Sequence, residues 1–114
     1  MKLRAQFTQN ARADLLELKE FVLQQWSQQA WKAAFAEIRH AVATIESHPE
    51  AGAICPDLAA IGITAYRQIL TSKNRIIYEA DKDANLIFVH VVCDQRRDLQ
   101  TLLMRRLLRA SGSR

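Results

Sequence analysis

Polar and apolar residues alternate from Lys2 to Phe7, with Leu3, Ala5 and Phe7 on one side and Lys2, Arg4 and Gln6 on the other. A period of two predicts a short, half-buried strand. The period then changes. Ala11, Leu15, Leu18 and Val22 recur at helical spacing, which predicts an amphipathic helix over 9–25. Thr8 stands where a hydroxyl can cap that helix, and Asp14 and Glu17 lie near its positive end. Trp31, Phe35, Ile38, Val42 and Ile45 continue at spacings of four and three, predicting a second helix over 28–47. The link Gln25–Gln28 contains no Gly or Pro, so the two helices are expected to form a tight antiparallel hairpin packed by Trp26 and Trp31. His48-Pro49 stops the second helix, because the residue before a proline disfavours the α region.

Residues 49–63 hold both prolines and two of the three glycines, and read as one long irregular loop, ordered or mobile. Three strands are expected after it: Thr64–Leu70, Arg75–Ala80 and Leu86–Cys93, joined by the polar turns 71–74 and 81–85. Such short turns make them an antiparallel meander. The continuous apolar run of Leu86–Cys93 places that strand in the middle of the sheet, buried on both faces. Asp98–Arg109 reads as a short final helix, followed by a frayed tail over Ala110–Arg114. The order is βααβββα in a single domain spanning 1–114, an α+β fold with a helical hairpin on one face of one sheet.

Composition narrows the class. Of 114 residues, 49% are hydrophobic and 25% charged, which excludes a disordered or low-complexity chain. No apolar stretch is long enough to span a bilayer, and the N-terminus has no apolar signal core, so a cytoplasmic address without a membrane partner is expected. Cys55 and Cys93 fit neither a metal spacing nor a disulfide framework.

Charge is unevenly spread. From Arg96 onward there are six arginines against one aspartate, whereas residues 1–95 carry ten Lys and Arg against eleven Asp and Glu. A basic end of this kind attracts nucleic acid, a membrane surface or an acidic protein segment; the plainer alternative is a solvated helix face.

The chain has no Gly-rich phosphate loop and no zinc-type His/Cys spacing, so neither a cofactor nor a metal is expected. His40, His48 and His90 are scattered, and His90 reads as a hydrogen-bonded core residue. Glu79 and Asp94 lie on or beside strands without an evident acid–base partner. What remains is a set of arginines: Arg67 and Arg75 on neighbouring strands, and Arg96 and Arg97 just past the last strand. Guanidinium forks bind phosphate and carboxylate alike. The alternative for each is a local ion pair, such as Arg75 with Glu79 or Arg97 with Asp98. Tyr66 and Tyr78 read as cross-strand packing residues.

Three passages, in this order, resemble the RelE/ParE superfamily of bacterial type II toxin–antitoxin toxins: FTQNARADLLELKEF (7–21), AYRQILTSKNRIIYEAD (65–81) and VHVVCDQRRDLQTLLMRRLL (89–108). The last, a hydrophobic strand leading into RRD and a leucine-rich helix, looks like the ParE branch. The resemblance covers nearly the whole chain and implies the same βααβββα fold.

That likeness implies one of two activities. RelE-like members cut mRNA on the ribosome without a metal, using basic residues and often a C-terminal Tyr or His. ParE-like members inhibit DNA gyrase by binding. Here Arg67, Arg75 and Arg96 or Arg97 fall at positions of the nuclease pattern, but Ile69 replaces its second base, and no Tyr, His, Phe or Trp follows Cys93. Asp94-Gln95 stands where many relatives have His-Gly. The departures favour gyrase inhibition over catalysis, with Arg96, Arg97, Arg105, Arg106 and Arg109 as target-binding candidates. The resemblance also implies a cognate antitoxin that forms a hetero-oligomer with the toxin, covering the helical hairpin or adding to a sheet edge.

Overall fold

The computed structural model describes the backbone of residues 2–112 and the side chains of residues 2–106. Its elements are β1 (Arg4–Phe7), α1 (Gln9–Gln25), α2 (Gln28–Ser47), β2 (Ala53–Ile54), α3 (Pro56–Ala59), β3 (Arg67–Leu70), β4 (Asn74–Asp81), β5 (Leu86–Asp94) and α4 (Leu99–Gly112). The expected α+β architecture is present, with two additions and one shortened strand, β3 starting at Arg67 and not at Thr64. The segment read as loop contains β2 and the one-turn helix α3, and α4 continues through positions assigned to a tail.

Side-chain caps start both long helices. Thr8 Oγ1 accepts from Ala11 N–H at 3.2 Å, and Ser27 Oγ accepts from Ala30 N–H at 3.0 Å. α3 begins at a proline, where a missing N–H leaves no helical bond unmade.

The five strands run in the order β1-β5-β4-β3-β2. β3, β4 and β5 form the antiparallel meander, and β1 pairs with β5 in parallel, Arg4 opposite Leu86 through Phe7 opposite Val89. β5 is therefore interior, but the middle strand is β4. The apolar run reports burial on both faces, which holds, but not how many strands lie on either side; β5 also contains a bulge. Tyr78 pairs with Val89 and Ile77 with Val91, leaving His90 as the extra residue. The bulge shifts the face phase, so that Ile87, Val89 and Val92 join one core while Val91 and Cys93 join the other.

The two cores lie on opposite faces. On one, the α1–α2 hairpin covers the sheet with Ala11, Ile38, Ala41 and Ile45 packed against Ile76, Tyr78, Ile87 and Val89. On the other, α3 and α4 bring Leu58, Leu99 and Leu102 against Cys55, Ile77, Val91 and Cys93. The molecule is thus layered as hairpin, sheet and small helical cover. Trp31 stacks on Phe35 in the hairpin, whereas Trp26 is 68% exposed with the Lys73 ammonium 5.1 Å from its ring centroid, so only one of the two tryptophans packs as expected.

Gly52 explains how the 49–54 segment closes onto the sheet. A Cβ there would lie 2.4 Å from the Gln68 carbonyl oxygen and 2.7 Å from the Tyr78 hydroxyl. Only glycine permits that approach. Tyr78 Oη, fully buried, donates to the Pro49 carbonyl at 2.7 Å and accepts from Gly52 N–H at 3.0 Å.

Candidate functional site

The meander's alternation separates two of the expected site residues. Arg67 pairs with Tyr78 and Leu70 with Arg75, so Arg67 shares a face with Ile69, Ile76 and Tyr78, the hairpin side. Its guanidinium donates to the Gly52 carbonyl at 2.8 Å. Arg75 points to the opposite face, with Gln68 and Ile77. The two arginines therefore do not share a cleft.

Arg75 is 7% exposed. Its Nη1 donates to Asp57 Oδ1 at 3.0 Å and to Gln68 Oε1 at 3.2 Å; its Nη2 donates to Asp57 Oδ2 at 3.3 Å and to the Arg97 carbonyl at 3.1 Å. Its ion-pair partner is thus Asp57 of α3, and not Glu79. Hydrogen bonding to Arg75 holds the Asp57 carboxyl below its usual range, and the same contact raises the guanidinium further. The Cys93 thiol lies beside this guanidinium, and burial pushes it up, which keeps it protonated and unreactive near neutral pH.

Glu79 instead meets His90 across the strands, Oε1 to Nε2 at 2.7 Å. Both side chains are about one-third exposed, 34% and 32%, so His90 is a half-open bulge residue and not a core histidine. The Tyr66 ring stands edge-on to it at 5.4 Å.

The turn leading from β5 to α4 carries the next two arginines. Arg96 is almost fully exposed, its Nε bonded to Asp94 Oδ1 at 3.2 Å. That pairing holds the exposed Asp94 carboxyl low. Arg97 is exposed, and the ion pair with Asp98 considered from the sequence does not form; the Asp98 carboxylate instead caps α4, accepting from Thr101 Oγ1 at 2.7 Å and Thr101 N–H at 3.3 Å.

On α4 the basic residues divide. Arg105 is exposed, but Arg106 is anchored. Its side chain is 12% exposed, ion-paired to Asp14 of α1, and Nη1 donates to the His90 carbonyl at 2.9 Å. Asp14 Oδ2 also accepts from Val92 N–H at 3.0 Å. β1 ends at Phe7, opposite Val89, so the β5 edge beyond has lost its strand partner. The Asp14–Arg106 pair satisfies that edge as an added strand would. Arg106, grouped by the sequence with the target-binding candidates, is thus largely taken up by contacts within the fold. The Arg109 side chain lies outside the described residues.

Between α1, the ends of β4 and β5, and α4 runs an open groove of about 390 Å³. Arg97 and Arg105 line it with Asn10, Glu17, Phe21 and Asn74. Phe21 is 57% exposed and Asn74 is 6% exposed. No group of three or more His, Cys, Asp or Glu among the described residues is arranged to hold a metal ion.

Asp57 and Asn74 are not singled out by the sequence, and Gln95 stands out there only as part of the Asp94-Gln95 departure from the family pattern. Pro56-Asp57 reads as a helix start, but nothing local names a partner eighteen residues away. Asp14 was noticed only for its position near a helix N-terminus.

The layered fold agrees with known proteins. The family model for the ParE toxin of type II toxin–antitoxin systems, parDE, matches residues 5–99. The chain belongs to that family, within the RelE/ParE superfamily of toxins. Among solved structures, the chromosomal ParDE system of P. aeruginosa superposes with a TM-score of 0.65 at 14% identity, covering 82% of this chain and 96% of that one. The RelBE2 toxin–antitoxin complex of Mycobacterium tuberculosis gives 0.58 at 18% identity, with 85% and 95% covered. The isolated E. coli RelE toxin gives 0.50 at 14% identity, with 92% and 98% covered. A comparison with curated proteins finds no match.

Proposed function

We propose that this toxin inhibits DNA gyrase by binding and is neutralised by a cognate antitoxin, with Arg96, Arg97 and Arg105 as the cationic contacts to its target. The observation that carries this reading is the fate of the arginines a ribonuclease would need. Arg67 and Arg75 sit on opposite faces of the sheet, and the Arg75 guanidinium is held by Asp57, Gln68 and the Arg97 carbonyl. Stabilising a pentacovalent phosphate requires guanidinium groups free to meet it in one site. The exposed arginines Arg96, Arg97 and Arg105 lie instead along the β5–α4 turn and α4, where a protein or DNA–protein target can meet them edge-on.

The antitoxin reading has its own support. Leu16 and Leu23 stand two turns apart on the outer side of α1, 61% and 40% exposed, with Trp26 nearby at 68%. An apolar strip of this kind on a small domain suits a segment that folds as it binds. β2 leaves the sheet with an open edge at Ala53–Ile54, where a further strand can pair.

A second reading, ribosome-dependent mRNA cleavage without a metal, is favoured by the His90–Glu79 pair. It places a half-exposed imidazole and a carboxylate on the face that also carries Arg75. Purified toxin assayed for gyrase supercoiling, beside cleavage mapping in a translating extract, separates the two. Lost supercoiling with intact mRNA is expected. Cleavage of mRNA with normal supercoiling supports the second reading and removes the first.

A further inference from the structure

Arg75 and Gln95 reach the Arg96–Arg97 turn from two sides. On one side, the Asp57 carboxylate takes two hydrogen bonds from Arg75, and the same guanidinium donates to the Arg97 carbonyl at 3.1 Å. On the other, Gln95 N–H donates to the Lys73 carbonyl at 3.0 Å, and the Gln95 side-chain amide donates to the Thr71 carbonyl. Within the turn, Arg97 N–H donates to the Asp94 carbonyl at 3.0 Å and Arg96 N–H to Asp94 Oδ1 at 2.8 Å. The backbone of an exposed connection is thus tied to β4 and to the β3–β4 turn, while the side chains of Arg96 and Arg97 project into solvent.

We propose that Asp57, Arg75 and Gln95 are positioning residues for the target-binding surface: they fix the turn that presents Arg96 and Arg97, so that the two guanidinium groups meet the target already oriented. The proposal rests on the gyrase-binding reading above and deepens it.

Three features support it. Arg75 is 7% exposed, so its charge cannot itself touch a macromolecule, and it lies on the sheet face that also carries the apolar Ile77 and Cys93. A buried guanidinium is tolerated only with a carboxylate and further acceptors around it, and one of those acceptors is the Arg97 carbonyl. The counter-ion comes from α3, an element whose place is set by other contacts. Cys55 N–H donates to the Tyr66 carbonyl at 2.8 Å, and Leu58 enters the core shared with Leu99 and Leu102 of α4. Gly52 permits the close approach that starts this path. The segment 52–59 therefore delivers one carboxylate to the back of the arginine turn. Fixing the backbone of the turn before binding removes its share of the ordering cost on association, leaving only the side-chain torsions of the two arginines to be ordered.

The test compares Asp57→Asn, Arg75→Lys, Gln95→Ala and the double variant Arg96→Ala/Arg97→Ala in full-length toxin. Three quantities are read: the toxin concentration that half-inhibits gyrase supercoiling, corrected for folded fraction by circular dichroism; the melting temperature; and amide exchange at Gln95 and Arg97 relative to Ile87 and Val89 in β5. Asp57→Asn and Arg75→Lys are expected to raise the half-inhibitory concentration about tenfold and Gln95→Ala about threefold, with faster exchange confined to the turn. Asp57→Glu is expected to restore most of the inhibition. Gln95 is exposed, so its variant judges the proposal even where the buried-pair variants fail to fold. Turn exchange and potency equal to the parent in Gln95→Ala, or in folded Asp57→Asn, overturn the positioning role. If the double variant inhibits as the parent does, the binding reading fails instead, and the exchange data alone then decide whether these residues order the turn.

Discussion

The two faces of the sheet are stabilised in different ways. The hairpin face is a broad apolar contact in which Ile38, Ala41 and Ile45 of α2 meet Ile76, Ile87 and Val89, with charged groups kept at its margins. The α3–α4 face has a smaller core with the Asp57–Arg75 ion pair beside it, and α4 is tied across the β5 edge to α1 by the Asp14–Arg106 pair. The first arrangement depends chiefly on side-chain volume, with the buried Tyr78 hydroxyl bonded to Pro49 and Gly52 at one end. The second depends on protonation state and on single hydrogen bonds, and it is the one that shapes the arginine-bearing turn and α4. The fold of this toxin is secured on one side and its proposed working surface on the other.

Ile45→Ala probes the hairpin face where it is driest, since Ile45 has no exposed surface. The loss expected is about 4 kcal/mol, from transfer and residual cavity together, with little change between pH 5 and pH 8 in denaturant titrations. On the opposite side, Arg106→Ala leaves Asp14 facing an unpaired β5 edge. About 3 kcal/mol is expected to be lost, and limited proteolysis should cut first in α4. Equal protection of α4 in parent and variant would show that Leu99 and Leu102 suffice to hold it.

Acid distinguishes the faces without mutation. The folded-state pKa of Asp57 lies below its ordinary value of 3.8, chiefly through the Arg75 hydrogen bond. Its stabilisation is therefore complete above that ordinary value and is lost as pH falls through the lowered one. Exchange at the 94–98 turn should rise below about pH 4 before the hairpin amides follow. The smallest effect expected is that of Thr8→Ala, about 1 kcal/mol from a lost N-cap, measured as a shift in the denaturant midpoint with unchanged slope.

The same contrast governs what could be read in the sequence. The hairpin face was legible because helical spacing, the Thr8 cap and the stop at His48-Pro49 are local patterns, and α1 and α2 appear at their expected bounds. The meander was legible from its polar turns. β2 and α3 were not, because their order comes from Gly52 passing against Gln68 and Tyr78, a tertiary approach with no local period. The position of β5 beside β1 was not legible either, because its apolar run reports burial on both faces and not how many strands lie on either side. Of the arginines, composition located the basic end correctly but could not sort it. Arg75 and Arg106 are consumed by Asp57 and Asp14, partners 18 and 92 residues away, while Arg96, Arg97 and Arg105 remain exposed. Charge counts along a chain do not distinguish a buried guanidinium from a presented one; only the fold does.

The most direct measurement is a supercoiling assay with purified gyrase, run with the parent toxin and with Arg96→Ala/Arg97→Ala at matched folded concentrations. Inhibition by the parent and its loss in the double variant is the predicted result. Undiminished supercoiling in the presence of folded parent toxin contradicts the account.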